Sequence, residues 1–351
     1  MLNPAENLVG KILDNGWEVI EHISRKPTSS GGNFSVSYKV AKDGQIAFLK
    51  VVNIARAFGM PDMMKVLEIL TVSHNRECEI LTECKDKKLD KIIRVMESGE
   101  ILPAPSDLIQ VTIPYVIFEL AEGSLRDELN YTDKFESVWA LRSLHQLFVG
   151  INQLHYNNIV HQDLKPSNVV LFEKKEKSKL ADLGRADKKG IISPHTNYKI
   201  AGDPAYAPPE QLYGYLLHDW SFRRQSCDIF HLGSMMIFYF IQIPMTTLLK
   251  TYLPSDYHWN NWKGNYQDVL PYLLDAYDHA CSHFGEELKN YFKDVHIITE
   301  LESMVRQLCH PDPERRGHPD YRSTFVKRNP FLVDKYISRL NALANKAEIL
   351  N

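Results

Sequence analysis

The sequence predicts an α+β chain in two parts. A small strand-rich lobe covers residues 1–120 and a larger helical lobe covers 121–330, followed by a helical extension over 331–351. Three observations point to this. Residues 34–40, FSVSYKV, put Phe34, Val36, Tyr38 and Val40 on one face of a strand. From residue 124 onward the apolar spacing is mostly helical. A chain of 351 residues suits two units at about 150 residues each.

The elements follow in order. The start, MLNPAENLVGKILDNGW, lacks a basic stretch followed by an apolar run, so no signal peptide is expected. KDG at 42–44 makes a turn, and QIAFLKVV at 45–52 is the second strand of a hairpin. A helix is expected over 63–84, and two further strands in KIIRVMESGEI and TIPYVIFEL. ESVWALRSLHQLFVGINQLHYNN, 136–158, reads as a long amphipathic helix. GSMMIFYFIQIPM, 233–245, is too short to span a membrane and reads as a buried helix. Val333, Tyr336, Ile337, Leu340, Leu343 and Ala347 recur at helical spacing, which predicts a C-terminal helix packed on the larger lobe.

Composition narrows the function. A net charge of −3 gives no broad basic field for nucleic acid. Hydrophobic residues at 44 % allow a large core. Five cysteines without CxxC spacing read as free thiols in a reducing compartment, which predicts a cytoplasmic protein. A small strand-rich lobe joined to a helical one predicts a ligand cleft between them.

The chemistry sits in HQDLKPSN, where Lys165 and Asn168 follow Asp163 by two and five residues. Any one of them alone would be an ordinary solvated loop residue. Together they resemble the catalytic loop of protein kinases, H-R-D-x-K-x-x-N, with Gln162 in place of the arginine. LADLGRA follows, with Asp182, Leu183 and Gly184 resembling the D-F-G turn. YAPPE at 206–210 resembles the motif that closes the activation segment. SCDIFHLG resembles the buried helix whose aspartate, here Asp228, supports the catalytic loop. HPDPERR supplies Arg316 as a partner for Glu210. Five such pieces in order, over roughly residues 15–330, identify the chain as similar to the eukaryotic-like Ser/Thr protein kinases.

The resemblance implies a bilobal kinase-like fold and a role for each residue. Asp163 would accept the proton of the attacking hydroxyl, and Lys165 would bring positive charge to the transferring phosphate. Asn168 and Asp182 would hold magnesium through oxygen atoms. Lys50, in AFLK, matches the lysine on the α- and β-phosphates. Glu77 matches its helix partner, with Glu79 as the rival. Phe118 would stand at the back of the adenine site, and the backbone of Glu119 and Ala121 would bond adenine. Val36 would form the adenine roof. The glycine loop departs from G-x-G-x-x-G: Ser30 and Ser35 flank Gly31 and Gly32.

ATP, magnesium and a protein substrate are therefore expected. "DLKPSN" favours serine and threonine acceptors. A pseudokinase scaffold and a small-molecule phosphotransferase are the competing readings. The 27 residues from Lys50 to Glu77 leave room for an extra helix, which either docks a regulator or caps the small lobe. HWNNWKGN offers Trp259 and Trp262 either as an exposed substrate-recognising loop or as packing. Asp203, in AGDPAY, stands where a threonine is usual and could accept a hydrogen bond from Lys165.

Overall fold

The structure, a computed structural model, describes residues 3, 5–24, 35–102, 112–131, 135–193, 195–322 and 329–350. Gly31, Gly32 and Phe34 lie outside the described residues. The chain divides into two compact units, Met1–Glu122 and Gly123–Asn351. The C-terminal stretch expected as an extension belongs to the second unit.

The first unit is built on an antiparallel sheet of β1 (Glu18–Ile23), β2 (Ser35–Lys42), β3 (Gln45–Val52), β4 (Val95–Ile101) and β5 (Ile113–Glu119), in the order β1-β2-β3-β5-β4. Pairing of Lys42 with Gln45 leaves Asp43 and Gly44 as the hairpin loop. Their φ angles of 50° and 77° suit a type I′ turn, whose twist matches that of the strands. Val36, Tyr38 and Val40 point inward with Ala47, Leu49 and Val51, as the alternation predicts. Ala5, Leu8 and Leu13 join this core, and the Tyr38 hydroxyl donates to the Ala5 carbonyl at 2.6 Å. Periodicity gave these N-terminal residues no role.

Helix α1 runs over Met63–Asp86 and starts at Asp62, whose carboxylate accepts from the Lys65 amide at 3.3 Å. Its buried residues are Glu77, Ile80, Leu81 and Cys84, spaced to share one face. No separate α-helix fills the stretch before it. The 3₁₀ turn Ile54–Gly59 and the first turns of α1 take up its length. Ile54 and Ala57 pack inward, while Phe58, Met60 and Met64 are exposed.

The second unit begins with β6 (Gly123–Ser124), α2 (Leu125–Tyr131) and α3 (Ser137–Tyr156). Short strands β7 (Ile159–Val160), β8 (Val169–Phe172), β9 (Lys177–Leu180) and β10 (Asp187–Lys188) surround the candidate catalytic loop. Strand β7 pairs with β10, and β8 lies between β6 and β9. Helices α4 (Pro209–Leu212), α5 (Ser226–Ile241), α6 (Met245–Tyr252), α7 (Tyr266–Leu288), α8 (Val295–Leu308) and α9 (Asp334–Leu350) complete it.

Helix α5 is buried on every side from Ser226 to Phe240, so it runs through the core instead of lying on its surface, and its polar residues, Asp228 among them, are buried too. Among the described residues no single helix is long and apolar enough to cross a membrane. Helix α9 packs on α3: Tyr336 lies 6.1 Å from Phe148, and Arg142 donates to Asn341, Asn345 and Glu348. Trp259 meets Tyr213 edge-on and Trp262 packs on Tyr257, so both indoles are half-buried packing groups rather than an exposed reading surface. All five cysteines are free.

Candidate active site

The candidate residues fall into two groups, one in each unit. In the first, Lys50 Nζ donates to both carboxylate oxygens of Glu77, at 3.1 and 3.2 Å. The phase of α1 selects Glu77, because it shares the buried face with Ile80 and Leu81. Glu79 lies about 200° further round and binds Arg76 at 2.7 Å on the exposed side. Burial and the Lys50 charge push the His74 pKa down to about 4. Burial and Glu77 push Cys78 up to about 11. Both neighbours are therefore neutral at pH 7, and Glu77 brings the negative charge from this face to Lys50.

Phe118 is buried, with its ring 6.3 Å from Phe48. The Glu119 amide donates to the Arg94 carbonyl at 3.1 Å, and its carboxylate accepts from the Arg94 amide at 2.8 Å. That amide is thus used within the sheet. Ala121 is half-buried, and Val36 is buried in β2 opposite Val51.

The second group is tighter. Asp163 is buried, and Lys165 Nζ lies 3.1 Å from its carboxylate. Asn168 Nδ2 donates to the Asp163 carbonyl at 2.8 Å and to its carboxylate at 3.2 Å. The Ala181 amide donates to the Asn168 carbonyl at 2.8 Å, which ties the end of β9 to the loop and brings Asp182 to the group. Asp182 has φ 60° and ψ 68°, a left-handed conformation that costs energy for a residue with a Cβ. Burial raises the Asp163 pKa above the usual carboxylate value. Lys165 opposes this, and the Asp182 charge adds to it.

Asp203 also reaches Lys165, at 3.4 Å, while its backbone amide donates to Asp163 at 2.8 Å. The lysine therefore sits between two carboxylates and relieves the repulsion that a carboxylate at 203 would bring. A Cβ on Gly202 would meet the Gln162 carbonyl oxygen well inside contact distance, so only glycine lets the two backbones approach this closely.

A buried frame fixes the loop. Asp228 accepts from the His161 amide at 2.8 Å, the Gln162 amide at 2.8 Å and His155 Nε2 at 2.9 Å. Burial alone would raise the Asp228 pKa. The His155 hydrogen bond and the nearby histidines outweigh it, so the carboxyl stays ionised. His161 Nε2 lies 3.1 Å from the Ala181 carbonyl, which makes it a loop-holding residue. Arg316 forms a bidentate pair with Glu210 at 2.7 and 2.8 Å and also donates to Ser226 Oγ at 2.8 Å.

Residues 30–321 match the protein kinase domain. The chain belongs to the protein kinase family. A probable serine/threonine-protein kinase of Dictyostelium discoideum is 27 % identical over 56 % of this chain and 37 % of its own length. A serine/threonine protein kinase of Oryza sativa subsp. indica is 29 % identical over 49 % of this chain and 36 % of its own. The membrane-associated tyrosine- and threonine-specific cdc2-inhibitory kinase of Drosophila melanogaster is 26 % identical over 64 % and 36 %. The matches thus cover about a third of each of these relatives.

The donor set of this kinase domain suits a hard divalent cation. Among the described residues no three His, Cys, Asp or Glu side chains gather as a metal site. Magnesium needs few protein ligands and completes its shell with water and phosphate oxygens, so Asp182 with the Asn168 amide oxygen fits it. Sequence reasoning missed Gly202, His155 and Arg224. For Arg224 a signal was present: RRQSCD places a charge directly before the apolar run of α5.

Proposed function

We propose that this chain is an ATP- and magnesium-dependent protein kinase that phosphorylates serine and threonine hydroxyls. The observation that carries this reading is Asp163, a buried carboxylate that Lys165 and Asn168 hold within 3.2 Å. Burial raises its pKa, which makes it a better base than an exposed aspartate, and the Lys165 charge opposes that rise.

Asp163 orients the acceptor hydroxyl and takes its proton. The acceptor oxygen bonds to the γ-phosphorus as the bond to the β–γ bridging oxygen breaks, leaving ADP. Lys165 stabilises the charge on the moving phosphoryl group. Lys50, aligned by Glu77, binds the α- and β-phosphates, and the backbone of Glu119 and Ala121 with the side chain of Val36 receives adenine. Asp182 and Asn168 would hold magnesium, which when bound would neutralise phosphate charge. The Glu210–Arg316 pair, which anchors the segment after Tyr206, favours a protein over a small-molecule substrate.

The sequence SSGGNFSVS favours a second reading, a nucleotide-binding scaffold without transfer, because it has fewer glycines than the family loop. Incubation with labelled ATP, magnesium and generic protein substrates separates the two. Transfer by wild type and none by Asp163→Ala supports the kinase. Nucleotide binding without transfer supports the scaffold. A product that is mainly phosphotyrosine overturns the choice of acceptor.

A further inference from the structure

We infer that Arg224 is a positioning residue for phosphoryl transfer: it ties the residue beside Asp163 to the segment 195–198 through bonds the protein itself supplies. This rests on the reading of Asp163 as the base. Arg224 lies in the turn Ser221–Gln225, where the Ser226 amide bonds back to Ser221 in the wide π manner. Such turns are rare and concentrate at functional positions. The guanidinium is buried at 2 % exposure.

Its bonds point two ways. Nη1 donates to Gln162 Oε1 at 3.1 Å, and Gln162 Nε2 donates back to the Arg224 carbonyl at 2.8 Å. Nη2 donates to the carbonyls of His195 at 3.0 Å and Thr196 at 2.7 Å. Nε lies 3.5 Å from the Asp187 carboxylate, which balances the buried charge. One planar fork therefore joins the catalytic loop, β10 and the segment 195–198, a geometry an ammonium could not reproduce.

Both ends of this tie are held firmly. Gln162 adopts φ 67°, and Asp228 accepts from both its amide and its side chain. Next to the segment, the Ser193 amide donates to Thr196 Oγ1 at 2.8 Å. The His195 ring accepts from Arg185 at 3.1 Å. Its pKa, pushed down to about 4 by burial and Arg185, leaves it neutral at pH 7 and able to accept. Arg224 spends its donors on backbone carbonyls and a neutral glutamine, and its charge is balanced by Asp187, so this order does not depend on an added phosphate. A neutral Gln162 is what permits it, since an arginine at 162 would place a second cation against the first.

The test uses the full chain after phosphatase treatment, with Arg224→Met, Arg224→Lys and the shorter Gln162→Asn. Asparagine tolerates the left-handed backbone at 162, so that variant keeps the loop conformation while losing reach. Rate, nucleotide KM and amide exchange over 187–203 are read together. Misplacement by about 1 Å can cost on the order of 10²-fold in rate. Both Arg224 variants are expected to lose about that much kcat with nucleotide KM within twofold, and to exchange faster at 195–198. Gln162→Asn is expected to lose less, and adding Arg224→Met to it to cost far less than in the wild-type background. Folded Arg224→Met with wild-type kcat and exchange overturns the inference, as does an additive double variant. Dephosphorylated wild type falling to the rate of Asp163→Ala while phosphorylated wild type remains active also overturns it. If no form of the protein transfers phosphate, the kinase reading fails, and exchange at 195–198 still decides whether Arg224 holds the segment.

Discussion

The Lys50–Glu77 pair and the Asp228–Arg316 frame are both charged, but they are built differently. Lys50 is a point charge with 26 % of its side chain exposed, bonded to the carboxylate of Glu77, which is itself buried. Arg316 has no exposure, reaches Glu210 through two bonds and adds further bonds to Ser226 and to backbone carbonyls. Asp228 likewise holds several groups at once. Breaking either pair strands a buried carboxylate, but only in the second is the cation also fully out of water. The first arrangement keeps its lysine in reach of water. The second holds a loop in a fixed form.

Asp163 gives the largest effect and sharpens this contrast. Asp163→Asn should lower kcat about 10²–10⁴-fold, the range for a general base. Its folded pKa is raised, so the protonated form is favoured on folding. That stability is present at low pH and is lost as pH rises through the folded value. At neutral pH the ionised carboxylate costs stability, and the variant should melt at a higher temperature than wild type. A lower melting temperature at pH 7 would mean that the site does not strain its own base.

Arg316→Ala should come next, since it leaves Glu210 buried and unpaired. Loss of about 3–5 kcal/mol is expected in chemical denaturation. A loss below about 1 kcal/mol, typical of surface pairs, would erase the difference between the two regions. Lys50→Met should reduce the rate about 10²-fold and destabilise less than Arg316→Ala, because Lys50 itself is partly solvated although Glu77 is buried. Equal destabilisation by Lys50→Met and Arg316→Ala would break the comparison outright. The smallest effect belongs to Arg142→Ala on the α3–α9 surface. Its partner Glu348 is 63 % exposed, so a change of about 0–1 kcal/mol is expected by thermal melting.

Local chemistry was legible in the sequence. The β2–β3 hairpin could be read because alternation and an Asp-Gly turn agree on one structure. Helix α5 could be read in part: the apolar run 233–245 pointed to burial, but the helix ends at Ile241 and another begins at Met245. The pairings of Lys50 with Glu77 and of Glu210 with Arg316 came from the resemblance to the kinase motifs, and the bonds between them agree. Less could be read where partners are far apart and carry no periodic signal. Arg224 looks like an ordinary basic residue until its fork is seen on Gln162 and two distant carbonyls. Gly202 is one of 17 glycines, and its necessity appears only with the Gln162 carbonyl beside it. The packing of Ala5, Leu8 and Leu13 on the sheet also lay outside any simple period.

The most direct measurement is phosphosite mapping by mass spectrometry on wild type beside Asp163→Ala, each incubated with ATP, magnesium and a generic protein substrate. New phosphoserine and phosphothreonine with wild type, and none with the folded variant, is the predicted result. Equal phosphorylation by both proteins, or none by folded wild type, would contradict the assignment of phosphoryl transfer to Asp163.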